Sequence, residues 1–119
     1  MEGCIFCMIG TGELACNKVY EDGAVIAFND IAPQAPVHVL IVPKQHYRDL
    51  GDNVPGDVIA RLFSLIPEVA RLKGVDMTGY RAIVNNGLDA KQTVQHLHVH
   101  VLGGQAMSHG MVSFGDDAI

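Results

Sequence analysis

The chain has 119 residues, of which 49% are hydrophobic, and a formal net charge of −5. This length argues for one domain that can bury a sizeable core. Thirteen acidic residues stand against eight basic ones, and no cluster of Lys and Arg is present to contact phosphates, which argues against nucleic-acid binding. No apolar run approaches the roughly 20 residues that a membrane span needs.

The cysteines indicate a compartment without disulfides. The chain has three cysteines, Cys4, Cys7 and Cys16. An odd number does not suit a framework of disulfides. The N-terminus lacks the basic segment and the apolar stretch of a signal peptide. We therefore expect a cytoplasmic protein. The CxxC pair formed by Cys4 and Cys7 is compatible with zinc binding, redox exchange or simple burial, and Cys16 has no assigned role.

The first third of the chain predicts a short helix and a β-hairpin. Residues 4–9 predict a helical turn, which a Gly-rich loop at residues 10–12 follows. Residues 19–21 and 25–29 predict two strands on either side of a turn at residues 22–24.

The middle of the chain predicts a loop, a buried strand and the main helix. Two prolines in residues 30–36 remove backbone donors, so this segment predicts a structured loop. The β-branched and apolar residues 37–42 predict a strand inside a sheet. Residues 57–73 have the periodicity of an amphipathic helix that Gly74 ends, and Pro67 should kink or split that helix.

The last third predicts two more strands. Residues 80–85 predict a strand, residues 86–92 a turn-rich loop, and residues 94–104 a strand that carries histidines. The tail, residues 105–119, has little periodicity. About five strands with short connections, one main helix and a short N-terminal helix predict an α+β fold with a largely antiparallel sheet.

Three of the six histidines, His96, His98 and His100, occupy every second position of one stretch. In an extended strand they share one face, and the aliphatic residues between them share the other. One such histidine would most simply be structural, but three on one face favour a chemical role. The histidine row could serve metal binding or nucleophilic catalysis. The row spans more than about 13 Å, so a single ion would more easily take one end of it together with other ligands.

Several motifs resemble the histidine triad (HIT) superfamily, and in particular its Hint-like branch. They are HLHVHVL at 96–102, FNDIAPQAPVHVLIVPKQH at 28–46, NNGLDAKQTVQ at 85–95, VLGG at 101–104 and CIFCMI at the start. The resemblance implies a HIT-like fold in a single domain, residues 1–119, with a core at 4–104. It also implies a homodimer whose sheets join across the two subunits, which would cover a sheet edge.

The resemblance implies attack on the α-phosphorus of a purine nucleotide. His98 would be the nucleophile, and His100 would serve the leaving group as its proton partner. His38, on a neighbouring strand, would face the row and orient it, and His96 completes the catalytic set.

The resemblance also implies nucleotide contacts. Asp30 and Ile31 would hold the ribose and the base, although Asp30 could instead cap a turn. Asn85 would contact the ribose–phosphate region or simply cap its loop. The implied phosphate-binding set consists of Lys91, Gln92, Thr93, His98 and His100. Lys91 departs from the family pattern, which commonly has Gly there, so a positive φ at this position would be strained.

A structural zinc ion is implied by the same resemblance. Its ligands would be Cys4, Cys7, His46 and His96, a closed tetrahedral set. The alternative is that the cysteines pack as small buried hydrophobic side chains and that His46 lies at the surface. No organic cofactor is expected.

The leading functional hypothesis is a hydrolase or transferase that cleaves purine nucleoside phosphoramidates or related adenylates through a nucleotidyl-histidine intermediate. The alternatives are a dinucleoside polyphosphate hydrolase and a nucleotide-binding adaptor with residual activity. Histidine-based metal storage is disfavoured, because the family pattern accounts for the histidines. Some relatives shape the leaving-group pocket with a C-terminal Trp, and this chain has no Trp. The leaving-group preference therefore cannot be transferred.

Overall fold

A computed structural model describes residues 1–110. The described residues form one five-stranded antiparallel sheet with two helices, and the strands lie in the order β1-β2-β3-β5-β4. The elements in chain order are α1 Ile5–Thr11, β1 Lys18–Glu21, β2 Val25–Asn29, β3 Val37–Pro43, α2 Gly56–Leu72, β4 Tyr80–Ile83 and β5 Val99–Gly103. The predicted α+β class is confirmed, including the short N-terminal helix.

Residues on each strand alternate between the two faces of the sheet. Each face carries apolar side chains and is covered by a helix. Helix α2 packs on one face, against a core that includes Val39, Ile41, Leu97, Val99 and Val101. Helix α1 packs on the other face, against Ile26, Phe28, Leu40 and Val42. The side chains of His98 and His100 alternate with the first set, and they therefore lie on the α1 side of the sheet.

Helix α2 is continuous through Pro67, so the predicted split does not occur. Proline removes the hydrogen bond to the carbonyl four residues earlier, which here belongs to Phe63. Phe63 is 44% exposed, so this carbonyl lies on the solvent side of the helix, where water can satisfy it. Gly74 ends the helix as predicted, with φ of 74° and an N–H that donates to the carbonyl of Arg71.

Three boundaries differ from the prediction by two residues or more. Helix α1 continues through Gly10 to Thr11, and Gly12 with φ of 86° is its left-handed cap, so residues 10–12 are not simply a loop. Strand β4 ends at Ile83 and not at residue 85. Strand β5 begins only at Val99, because the chain before it bonds elsewhere: the N–H of Leu97 donates to the carbonyl of Tyr47 at 2.7 Å.

The tail is described only as far as residue 110. Residues 105–110 contain no helix or strand, and the side chain of Arg81 on β4 donates to the carbonyl of Ser108 at 2.8 Å. Residues 111–119 of the predicted tail lie outside the described residues. Within residues 1–110, no helix is long and apolar enough to cross a membrane.

Lys91 has φ of 62°, so the condition under which strain was expected at this departure from the family pattern is met. Its N–H donates to the carbonyl of Leu88 at 3.0 Å, and the N–H of the next residue donates to the carbonyl of Gly87 at 3.1 Å. These bonds hold the loop in a conformation that costs a residue with a side chain about 1–2 kcal/mol.

Replacing Lys91 by Gly should raise the free energy of unfolding by up to about 1 kcal/mol, because relief of the left-handed strain exceeds the added chain entropy. Urea unfolding measures the effect. Lys73→Gly is the matched control, since Lys73 has φ of −95° and should lose stability on the same change. A loss of equal size in both variants would contradict this account of Lys91.

Candidate active site and metal cluster

The histidine row divides between two clusters. His96 is fully buried and its ring lies 4.9 Å from that of His46, centroid to centroid. His98 is 5% exposed, and its ring centroid lies 5.0 Å from that of His100. His100 in turn contacts His38 on β3. One end of the row therefore lies in each cluster, although His96 and His98 precede β5.

One ring nitrogen of His98 is committed to the backbone. Its Nδ1 lies 2.7 Å from the carbonyl oxygen of His96, and because a carbonyl only accepts, Nδ1 carries the proton. Burial is the main cause that lowers the pKa of His98, which favours the neutral ring. In that ring Nε2 has the free lone pair, so Nε2 is the nitrogen that can act as a nucleophile.

His38 and His100 form a directed hydrogen-bond chain. The backbone N–H of Gln34 donates to Nδ1 of His38 at 3.0 Å, so the proton of the neutral His38 ring is on Nε2. That Nε2–H donates to Nδ1 of His100 at 2.9 Å, which places the proton of neutral His100 on its own Nε2. A carboxylate oxygen of Asp30 lies 3.5 Å from Nε2 of His38. The Nε2–H of His100, a residue that lines the cavity, is thus left for a ligand.

His100 is held in the neutral form. Burial lowers its pKa most, and the charges of His98 and His38 lower it further, to about 4. A bound anion would oppose these effects, because a nearby opposite charge favours imidazolium. His100 can therefore take up a proton when a phosphate binds beside it.

Asp30, His38 and His100 also lie close enough together to suggest a cation site, since one donor atom of each lies within 4.8 Å of the others. The hydrogen bond from Gln34 argues against that use. A neutral imidazole binds a metal through an unprotonated nitrogen, and Nε2 of His38, which faces this cluster, carries the proton. Proton transfer fits this trio better than metal binding.

A cavity of about 370 Å³ opens in front of His98 and His100. Its walls are mostly apolar and come from α1 and from the sheet: Ile5, Phe6, Ile9, Phe28 and Leu40. Polar groups stand on its rim, among them Asp30 and Thr93. An apolar pocket with a few convergent polar groups is the usual form of a small-molecule site.

Asp30, Ile31 and Thr93, three of the predicted nucleotide contacts, line this cavity. One oxygen of Asp30 accepts the N–H of Ala32 at 2.9 Å, which is the turn expected as its alternative role. The other oxygen faces His38, so both roles are open to this residue. Ile31 is 99% exposed, and such a side chain at the rim can cover a bound ligand.

Asn85, Lys91 and Gln92 are not among the described residues that line the cavity. The buried amide of Gln92 accepts the N–H of Gly87 at 2.9 Å and donates to the carbonyls of Arg48 at 2.8 Å and Val94 at 3.1 Å. Gln92 thus holds the loop together. Nucleotide contacts by these three residues remain predictions.

The apolar walls and the backbone partners were not predicted as part of the site. The walls could have been found from the sequence, because the apolar residues of CIFCMI follow helical spacing at Ile5, Phe6 and Ile9. The N–H of Gln34 had none, because every residue type except proline offers the same donor.

Four donor atoms of the CxxC pair and two histidines meet beside α1. The distances are 3.3 Å from Cys4 Sγ to His96 Nδ1, 3.4 Å from Cys7 Sγ to His46 Nδ1, 3.5 Å from Cys7 Sγ to His96 Nδ1 and 3.2 Å between the two Nδ1 atoms. A tetrahedral ion with Zn–S bonds of about 2.3 Å and Zn–N bonds of about 2.0–2.1 Å places its ligands roughly 3.3–3.8 Å apart. The set fits a divalent cation.

The protonation of His96 fits the same use. Its Nε2–H donates to the carbonyl of Pro43 at 2.7 Å, so the Nδ1 lone pair points into the cluster, as second-shell bonds to metal-bound histidines require. Burial lowers the pKa of His96 to about 4 and raises the pKa of the Cys7 thiol. A cation would reverse the effect on Cys7. The side chain of His96 does not reach the cavity lining, so its predicted catalytic role rests on its carbonyl contact to His98.

Comparison with known proteins gives one consistent result. The family model described as HIT domain matches residues 11–107. A histidine triad protein from Clostridium difficile has 46% sequence identity and a TM-score of 0.86, with 91% of this chain and 96% of that chain covered. A HIT family hydrolase from Legionella pneumophila has 38% identity and a TM-score of 0.86, with 91% and 98% covered.

A histidine triad nucleotide-binding protein from Candida albicans has 30% identity and a TM-score of 0.80, with 95% of this chain and 87% of that chain covered. The family match extends over most of the chain and includes the histidine row and its neighbouring strands. The chain belongs to the HIT domain family, and its fold is that of HIT family hydrolases.

Proposed function

We propose that this protein is a nucleotide hydrolase that cleaves purine nucleoside phosphoramidates or related adenylates through a nucleotidyl intermediate on His98. The observation that carries the proposal is the bond from Nδ1 of His98 to the carbonyl of His96. This bond leaves Nε2 as the reactive nitrogen of a residue that lines the cavity.

The first step forms one bond and breaks one. Nε2 of His98 attacks the phosphorus, the bond from phosphorus to the leaving group breaks, and the leaving amine takes a proton from His100. The anionic phosphate promotes the imidazolium form of His100, which supplies this proton. Water then attacks the same phosphorus, the bond from phosphorus to Nε2 of His98 breaks, His100 accepts the proton of the water, and a nucleoside monophosphate is released.

Nucleotide binding is supported by the cavity. Its apolar walls suit a heterocyclic base, and the carboxylate of Asp30 can accept hydrogen bonds from ribose hydroxyls. Thr93 lies on the rim, where its hydroxyl can contact a phosphate oxygen. The name of the Candida albicans neighbour supports a nucleotide as ligand.

We propose zinc as the resident ion of the cysteine–histidine cluster. Its ligands would be Cys4, Cys7, His46 and His96. The bound cation would stabilise the thiolates and would connect α1 to the segment after β3 and to the segment before β5. A closed set of four protein ligands gives the ion a structural role.

A homodimer is part of the proposal. Strand β4 is at one end of the sheet and pairs only with β5 among the described strands. Tyr80 on β4 is 37% exposed. An exposed sheet edge is a natural site for strand pairing, and a two-fold dimer is the commonest closed assembly.

His98→Ala should lower turnover of an adenosine phosphoramidate at least about 1,000-fold, because no other group can carry the intermediate. Rapid quenching of the wild type followed by peptide mass spectrometry should find an adenylyl group on His98. His109→Ala, a change outside the site, is the matched control. Full turnover by His98→Ala would end the proposal. If the protein prefers diadenosine polyphosphates to AMP phosphoramidates of lysine, it is instead a dinucleoside polyphosphate hydrolase.

The pH dependence of stability should report on His100. Its pKa in the folded protein is about 4, below the ordinary 6.5, so the unfolded chain takes up the proton first. The stabilising contribution is therefore full above about pH 6.5 and is lost as the pH falls toward about 4. Across this range the metal-loaded wild type should lose about 1–3 kcal/mol more than His100→Gln in urea unfolding. Parallel profiles for the two proteins would contradict this assignment.

Metal removal should destabilise the fold. The purified protein should contain one zinc ion per chain, and a strong chelator should lower the melting temperature by about 10 °C or more, because binding free energy is folding free energy at such a site. Cys4→Ser should lose the ion, whereas Cys16→Ser should keep it. Retention of zinc by Cys4→Ser, or an unchanged melting temperature after removal, would refute the structural role.

A further inference from the structure

Helix α1 contributes to both clusters. Cys4 is its N-cap and Cys7 lies in its first turn, so the helix carries two of the four donors of the metal cluster. Ile5, Phe6 and Ile9 on the same helix line the cavity in front of His98. A displacement of α1 would therefore change the metal cluster and the cavity together.

Phe6 stands between the two clusters. It is 4% exposed, and its ring packs edge-on against His96 at 5.9 Å and against His98 at 5.2 Å, measured between centroids. The ring of Phe28 also packs edge-on against Phe6, with 5.6 Å between the centroids. The ring of the nucleophile is thus packed directly against an aromatic ring that sits between two cysteine donors in the sequence.

His96 makes the second connection. Its side chain belongs to the metal cluster, while its carbonyl accepts the Nδ1–H of His98. The next residue, Leu97, donates its N–H to the carbonyl of Tyr47, which follows the donor His46. The backbone that sets the tautomer of His98 is therefore held by the same cluster.

Helix α1 has little stability of its own. It has seven residues, without an acidic residue in its first turn or a basic residue in its last, and isolated helices shorter than about 12 residues are marginal in water. Its N-cap acceptor is the sulfur of Cys4, which receives the N–H of Cys7 at 3.4 Å. Its position must therefore come from packing and from the cluster.

We propose that the metal cluster controls the active centre through α1, with Phe6 as the positioning residue that holds the ring of His98. When the cluster holds its cation, Phe6 and the carbonyl of His96 keep His98 in one orientation and one tautomer. When the cation is lost, α1 loosens, the ring of His98 gains rotational freedom, and the cavity loses one wall. The effect of the cation on turnover rests on the proposed hydrolase function. The effect of the cation on α1 and on the ring of His98 can be measured in the protein without substrate.

The first test changes Phe6 and keeps all four ligands. In Phe6→Leu, loaded with zinc, we expect one ion per chain, but the ring ¹⁵N spectrum of His98 should change from a single Nδ1–H tautomer to an average of the two. Phe63→Leu on α2, the same change at an exposed phenylalanine, should leave that spectrum as in the wild type. An unchanged His98 spectrum in Phe6→Leu would overturn the positioning role, since loss of packing alone predicts lower stability without a change of tautomer.

The second test removes the ion from the wild type. Amide hydrogen exchange of α1 should accelerate, the ring signal of His98 should become averaged, and AMP should bind about tenfold or more weakly, within the usual range of coupling between sites. A sharp Nδ1–H signal of His98 in the metal-free protein would overturn the coupling. The ring signal needs no nucleotide. If the zinc-loaded wild type shows no turnover, the proposed hydrolase function is refuted, but the coupling between the metal cluster and His98 is not.

Discussion

The candidate active centre depends on one hydrogen bond, from Nδ1 of His98 to the carbonyl of His96, because it decides which nitrogen of the central ring has a free lone pair. The same principle applies to the neighbouring histidines. Pro43 fixes His96 through its carbonyl, and the N–H of Gln34 fixes His38. Each of these rings has one nitrogen held by the backbone, so each neutral ring acquires a defined tautomer and its own use.

The two-residue period of extended chain then separates those uses in space. His96 and His100 lie at opposite ends of the row, so one joins the cysteines of α1 and the other joins His38 on β3. His98 between them is left with apolar packing on Phe6 and an open cavity on its free side. A buried neutral imidazole beside an apolar pocket is suited to attack on a bound phosphate ester or amidate, since it carries no charge that must first be neutralised.

Much of this arrangement could be predicted from the sequence, because strand periodicity and the amphipathic α2 are local properties of residue types. The grouping of Cys4, Cys7, His46 and His96 is not local and was implied only by the resemblance to the HIT superfamily. The positive φ of Lys91 was not predicted, although the resemblance marked the position as one where a positive φ would strain a residue with a side chain. The later start of β5 could not be predicted, since it depends on a backbone bond between Leu97 and Tyr47. The inward role of Gln92 was equally unreadable, because an amide suits a phosphate and a buried loop equally well.

The most direct test of this account is neutron diffraction from crystals of the metal-loaded protein exchanged into D₂O, which locates the deuterons on the imidazole rings. We expect a deuteron on Nδ1 of His98 and none on its Nε2, with deuterons on Nε2 of His96 and His38. A deuteron on Nε2 of His98 would place a donor where the reaction needs a lone pair, and the proposed nucleophile would be ruled out.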